Sequence, residues 1–114
     1  MNVREFYEAT GGDYEDVKKR FLTDARISKF ALMFLRDTSM EELRAAMEMK
    51  DCEKAFQAAH TLKGVCLNLG FSGLLKPVDV ITELLRAGAF EQAEPVMASV
   101  EEMYKAVSDR LHEL

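Results

Sequence analysis

A chain of 114 residues with 48% apolar and 31% charged side chains has the length of one domain and an ordinary globular composition. A net charge of −5, with no stretch that concentrates Lys and Arg, argues against a nucleic-acid partner. No apolar run approaches the roughly 20 residues that span a bilayer, and the opening MNVREFYEATGG lacks the apolar segment of a secretory signal.

Nothing reads as a strand, because Val and Ile are sparse, strict alternation is absent, and Ala, Leu, Met, Glu and Lys dominate. A short helix is expected over Asn2 to Ala9, closed by Gly11-Gly12, and Asp13 can cap a second one carrying Val17 and Phe21. Between Asp24 and Arg36, Ile27, Phe30, Ala31 and Phe34 recur at helical spacing. Ser39 followed by Glu42 has the form of a capping box, opening a helix with Met40, Leu43 and Met47 inward. Asp51 caps the next helix, which runs to Leu69 and stops at Gly70. Phe71 to Ala87 follows, with Leu74, Val78, Ile81 and Leu85 on one face and Gly88 as the stop. Pro77 there demands either a kink or a start near Lys76.

The last helix carries Ala93, Met97, Val100, Tyr104, Val107, Leu111 and Leu114 at alternating spacings of three and four, and Pro95 is tolerable only in its first turn. Short connections imply antiparallel neighbours. The expected fold is all-α: an antiparallel up-down four-helix bundle over about residues 39–114, with short helices from about residues 1–38 covering one end. The methionines Met33, Met40, Met47, Met97 and Met103 are expected as core filler. Cys52 and Cys66 share one predicted helix, about 21 Å apart at ~1.5 Å rise per residue, too far to bridge. Free thiols suit a reducing, cytosolic compartment.

Within the Asp51–Leu69 helix, Ala58-Ala59-His60-Thr61-Leu62-Lys63-Gly64 carries the chemistry. At about 100° per residue, Ala55, Ala58, Leu62, Val65 and Leu69 fall opposite His60, flanked by Ala59 and Cys66. Gln57, Lys63 and Gly64 fall beside it, so the imidazole points to water. Metal binding is not expected, since the only other histidine is His112 near the chain end and no Cys or carboxylate converges on His60. A small bundle with its histidine on a convex face offers no enzyme pocket. A covalent carrier fits better, because an imidazole is largely unprotonated and nucleophilic at neutral pH and can attack a phosphoryl group delivered by another protein. Lys63, one turn on, offers a cation to the phosphoryl oxygens. Gly64 costs a helix about 1 kcal/mol relative to Ala, and close approach of a partner is the natural compensation. Phe56 and Leu67 project within about 40° of His60 and suggest a partner patch, with Gln57 and Asn68 as its polar rim.

AHTLKG followed by NLG closely resembles the signature of histidine-containing phosphotransfer (HPt) domains. GGDYEDVKKRF, KFALMFLRD and LLRAGAFEQAE extend the resemblance to free-standing bacterial members over nearly the whole chain. It implies that His60 accepts a phosphoryl group from a receiver-domain aspartate or a kinase and passes it to a response regulator. Lys63 and Gly64 match the family's charge-stabilising and clearance positions, and Phe56, Gln57 and Leu67 lie where receivers are usually contacted. The implied partners are response regulator receiver domains and a hybrid sensor kinase. Mg2+ is expected on the partner receiver and no cofactor on this chain. Thr61 follows the histidine where sensor-kinase dimerisation helices commonly have an acid, and no glycine-rich ATP site is present. A cytoplasmic, usually monomeric shuttle without kinase activity is the implication. The alternative is a helical adaptor that binds receivers without carrying phosphate, and the intact His-x-x-Lys-Gly set discriminates against it.

Overall fold

All regular structure in the computed structural model, which describes residues 1–114, is helical. The order is α1 (Val3–Thr10), α2 (Tyr14–Phe21), α3 (Asp24–Met33), α4 (Ser39–Glu48), α5 (Cys52–Leu69), α6 (Ser72–Arg86), α7 (Phe90–Ala93) and α8 (Met97–Leu111), with 3-10 turns at Phe34–Arg36 and Glu94–Val96. Local chemistry sets most boundaries. Asn2 and Glu5 form a reciprocal capping box on α1. The side chains of Asp13, Thr23 and Asp51 accept from the backbone N–H groups of Asp16, Arg26 and Lys54, satisfying donors that the first turns of α2, α3 and α5 leave free. Gly11 and Gly70 end α1 and α5 at φ 69° and 68°, the left-handed backbone that costs glycine nothing.

Two boundaries differ from expectation, and a third settles an alternative that the sequence leaves open. Ser39 does not form a capping box with Glu42. It is the first residue of α4, its hydroxyl donates to Asp37 Oδ1, and the same carboxylate oxygen accepts from the Ser39 N–H at 2.9 Å. The Asp37 carboxylate thus takes the N–H that Glu42 would have accepted, and the Glu42 N–H bonds the Thr38 carbonyl at 3.0 Å. Second, of the two alternatives for Pro77 the start near Lys76 is not taken: α6 begins at Ser72, within one residue of the expected span, and Pro77 is its sixth residue. Proline has no N–H, so the Gly73 carbonyl lacks its i+4 partner. Burial of Phe71 and Leu74 (1% and 0% exposed) draws this turn into the helix regardless. Third, the last segment is two helices, because the break at Glu94–Val96 contains Pro95 and α8 starts only at Met97.

A single apolar cluster runs from Val3 to Leu111, so the N-terminal helices share the core of the rest. α5 packs against both α4 and α6, and α6 against α8. Contacts between Cys52 and Leu85, Phe56 and Arg86, and Lys63 and Asp79 run in opposite senses along the chain, so α5 and α6 are antiparallel. Arg44 of α4 holds Glu101 of α8 through two guanidinium nitrogens at 2.7–3.1 Å. Phe6 and Tyr7 of α1 and Phe34 pack their rings around Phe71 at centroid distances of 5.1–6.0 Å. Gly73 admits α1 closely, since a Cβ there would lie 2.4 Å from the Thr10 carbonyl oxygen. Met40 and Met47 are buried and Met97 and Met103 half-buried, but Met33 is 56% exposed. Phe30, expected inward, is exposed and stacks on Phe21 at 4.9 Å.

Tyr7 carries a testable load. Its hydroxyl donates to the Leu69 carbonyl at 2.6 Å across a sequence separation of 62. Burial pushes its pKa upward, a shift that Arg20 partly offsets. Stability is therefore intact below the ordinary tyrosine value near 10 and declines as pH rises from there, because the unfolded chain releases the proton first. Tyr7→Phe should cost about 1–2 kcal/mol at neutral pH by urea unfolding, and the decline above pH ~10 should become shallower. It should not vanish, since burial also pushes the Cys66 thiol up to about 12.

Candidate functional site

The site is one stripe of α5. Ala55, Ala58, Ala59, Leu62, Cys66 and Leu69 of that helix are all 6% exposed or less, and the small alanines among them let α4 and α6 close in from two sides. Val65, placed by helical angle on the core face, is only half-buried. It lies at the edge of the stripe, in a shallow depression with Phe30, Met33 and Asn68, where no helix covers it fully. The stripe opposite the alanines is open. His60, Gln57, Thr61, Gly64, Leu67 and Asn68 are exposed there, while Phe56 and Lys63 are half-buried along its α6 edge.

The His60 ring meets Phe56 edge-on at 5.6 Å between centroids and takes part in no hydrogen bond or ion pair within the chain. Both ring nitrogens are thus without an intramolecular partner. The Thr61 hydroxyl is committed to the Gln57 carbonyl at 3.0 Å. His112, in contrast, has Nδ1 2.8 Å from the Ser108 carbonyl oxygen at the end of α8. No group of three or more His, Cys, Asp or Glu side chains is arranged to hold a metal ion.

Gly64 differs from the packing glycines. A Cβ at Gly70 would meet Val17 Cγ1 at 2.6 Å, and one at Gly73 would strike the Thr10 carbonyl, whereas one at Gly64 meets nothing within 4 Å. The folded chain itself has no steric use for a glycine there.

Two residues of α6 border His60 that sequence reasoning did not identify. Lys63 Nζ lies 2.7 Å from Asp79 Oδ1. The Arg86 guanidinium sits over the Phe56 ring at 4.8 Å while its Nε donates to Glu83 Oε2 at 2.8 Å. The Phe56–Arg86 and Lys63–Asp79 contacts thus lie on either side of His60 along α5, and each cation is partnered by a carboxylate of α6. The available signal was the spacing of 79, 83 and 86 along one edge of the α6 apolar face, which required knowing that this edge adjoins His60.

Of the expected docking residues, Gln57, Leu67 and Asn68 share the open stripe with His60, and Leu67 is 52% exposed. Phe56 is the exception, spending its faces on His60 and Arg86. Arg20 of α2 donates to the Leu67 and Asn68 carbonyls at 3.2 and 2.6 Å, fixing the backbone beneath the distal end of that stripe.

The model for the Hpt domain matches residues 33–110, from the last residue of α3 to within one residue of the end of α8. No curated protein and no solved structure gives a match. No helix is long and apolar enough to cross a membrane. Hpt domains are phosphocarriers, not enzymes, and they interact with kinases and with the receiver domains of response regulators. With the match covering more than half of its length, and an exposed histidine within the matched span, this chain belongs to the Hpt domain family of two-component signalling.

Proposed function

We propose that this protein is a phosphorelay intermediate in which His60 accepts a phosphoryl group from a receiver-domain aspartate, or from a kinase, and passes it to a response regulator. The observation that carries the reading is the His60 ring itself, exposed on α5 with neither nitrogen engaged by the chain. The lone pair of the neutral imidazole Nε2 attacks phosphorus. A Nε2–P bond forms as the acyl-phosphate P–O bond breaks, its electron pair stays on the donor aspartate, and Nδ1 keeps its proton. The outgoing step reverses this on a second receiver. Lys63 contributes positive charge toward the phosphoryl oxygens. Gly64 contributes clearance, and Phe56, Gln57, Leu67 and Asn68 the contact surface. Mg2+ belongs to the receiver's own acidic site.

The same reading takes α4, α5, α6 and α8 as the antiparallel up-down bundle and residues 1–38 as the cap on one end. It takes the protein as a cytoplasmic monomer that serves a hybrid sensor kinase. Support comes from the contacts of α5 with α4 and α6, of α6 with α8, and of α1 with α8.

Treatment with phosphoramidate followed by intact-mass analysis tests the site. Wild type should gain one acid-labile phosphoryl group and His60→Gln none, with helicity and stability within about 0.5 kcal/mol of wild type, as for an exposed residue. Absence of an adduct on the folded wild type would overturn the proposal in favour of a non-phosphorylated adaptor. Gly64→Ala separates chemistry from docking. It should raise stability by about 0.5–1 kcal/mol in urea, because the methyl meets open space on a helix. Phosphorylation by phosphoramidate should be unchanged, whereas transfer from a phosphorylated receiver should slow roughly tenfold or more, the rate equivalent of an overpacked contact.

A further inference from the structure

Lys63 is not idle in the unphosphorylated protein. Its ammonium lies 2.7 Å from Asp79 Oδ1, with side-chain exposures of 27% and 51%. The pair joins α5 to α6 one turn from His60, and no other ion pair of the chain involves an α5 residue. Residues at i and i+3 of a helix are surface neighbours, so a phosphoryl group on His60 and the Asp79 carboxylate both lie within reach of one flexible ammonium. The one charge of Lys63 is then divided between two anions.

Exposed lysine–carboxylate pairs are weak, and a phosphoryl group carries more negative charge than a carboxylate. The ammonium is free to change partners on phosphorylation. Its service to the phosphoryl group is nevertheless reduced by whatever attraction to Asp79 it gives up. Resting on the assignment of His60 as the phosphorylated residue, we propose that Asp79 is a positioning residue. It holds Lys63 aside in the unmodified protein and competes for it afterwards, setting how strongly the site retains the phosphoryl group.

Exchange with N-phosphoimidazole reads this directly. Phosphoimidazole and the free protein go to imidazole and His60-phosphorylated protein, one P–N bond breaking as another of the same kind forms. The equilibrium constant, followed by 31P NMR at several imidazole concentrations, thus reports the surroundings of His60 and not the bond. Asp79→Asn should raise that constant about 2- to 5-fold, the span that exposed pairs convert to, and Lys63→Met should lower it by a similar factor. In the Lys63→Met background the effect of Asp79→Asn should fall by more than half, and Asp79→Glu, which keeps the carboxylate, should return toward wild type. Thermal melts of each variant confirm that the fold is retained. An unchanged constant in Asp79→Asn overturns the proposal. So does an equal rise with and without Lys63, which would mean that Asp79 acts by repelling the phosphoryl group itself. Failure of the His60 assignment looks different, since wild type and every variant would then stay unmodified.

Discussion

α5 has helices on two sides and water on the third, and the rest of the structure is arranged around that asymmetry. Ala55, Ala58 and Ala59 give its inner face so little relief that α4 and α6 can both pack closely. Two neighbours suffice to bury the helix, so no third element is needed over the outer stripe. The result is a long surface that is convex, rigid and held from behind, with His60 near its middle. A rigid helical platform presents a side chain more reproducibly than a loop can. On the proposed reading, in which His60 meets the active sites of other proteins, convexity is an asset, because the cavity is supplied by the partner.

The distal end of this platform is held by residues outside the span matched by the family model. Four carbonyls at the C-terminus of any helix have no intrahelical donor. Here Arg20 takes those of Leu67 and Asn68, the Tyr7 hydroxyl takes that of Leu69, and the Asp13 N–H takes that of Gly70 at 2.9 Å. All three donors come from residues 1–32. Gly70, in a left-handed conformation with Val17 too close to admit a Cβ, makes room for that packing. The N-terminal helices therefore do more than cover an end of the core. They satisfy the backbone that carries Leu67 and Asn68, and so link the first 32 residues to the surface on which docking is proposed.

The faces of α5 were legible in the sequence because helical angle is a local property, and an alanine-rich stripe opposite polar residues admits one orientation. The caps at Asp13, Asp51 and Gly70 were legible for the same reason. Val65 and Phe30 were misplaced because angle ranks positions by direction but does not say where a neighbouring helix stops. Serine and a glutamate three residues on match the capping-box pattern, yet the Asp37 carboxylate takes both the Ser39 N–H, which Glu42 would have accepted, and the Ser39 hydroxyl, while the Glu42 N–H bonds the Thr38 carbonyl. Pro77 and Pro95 show the two outcomes of one conflict. In α6 burial of Phe71 and Leu74 outweighs the lost hydrogen bond, whereas around Pro95 no residue of the 3-10 turn is buried and the helix breaks. Asp79 and Arg86 were invisible because their relation to His60 exists only across the α5–α6 interface.

That interface bears on what a carrier must do. A phosphoryl group that only passes through must be held weakly enough to leave, and an unopposed lysine beside a dianion would work against release. Along the edge beside His60, Lys63 is answered by Asp79 and Arg86 by Glu83, both carboxylates of α6. Both pairs are partly exposed, and exposed pairs contribute only about 0.2–1 kcal/mol. Neither can lock the cation away, and neither leaves it wholly free. Positive charge next to His60 is thus available in proportion to the negative charge that arrives, then reabsorbed when that charge departs. A buried pair would be too costly to open, and a lone lysine would have nowhere to return. The half-exposed edge between α5 and α6 is the part of this fold where an ion pair is weak enough to exchange partners yet close enough to matter.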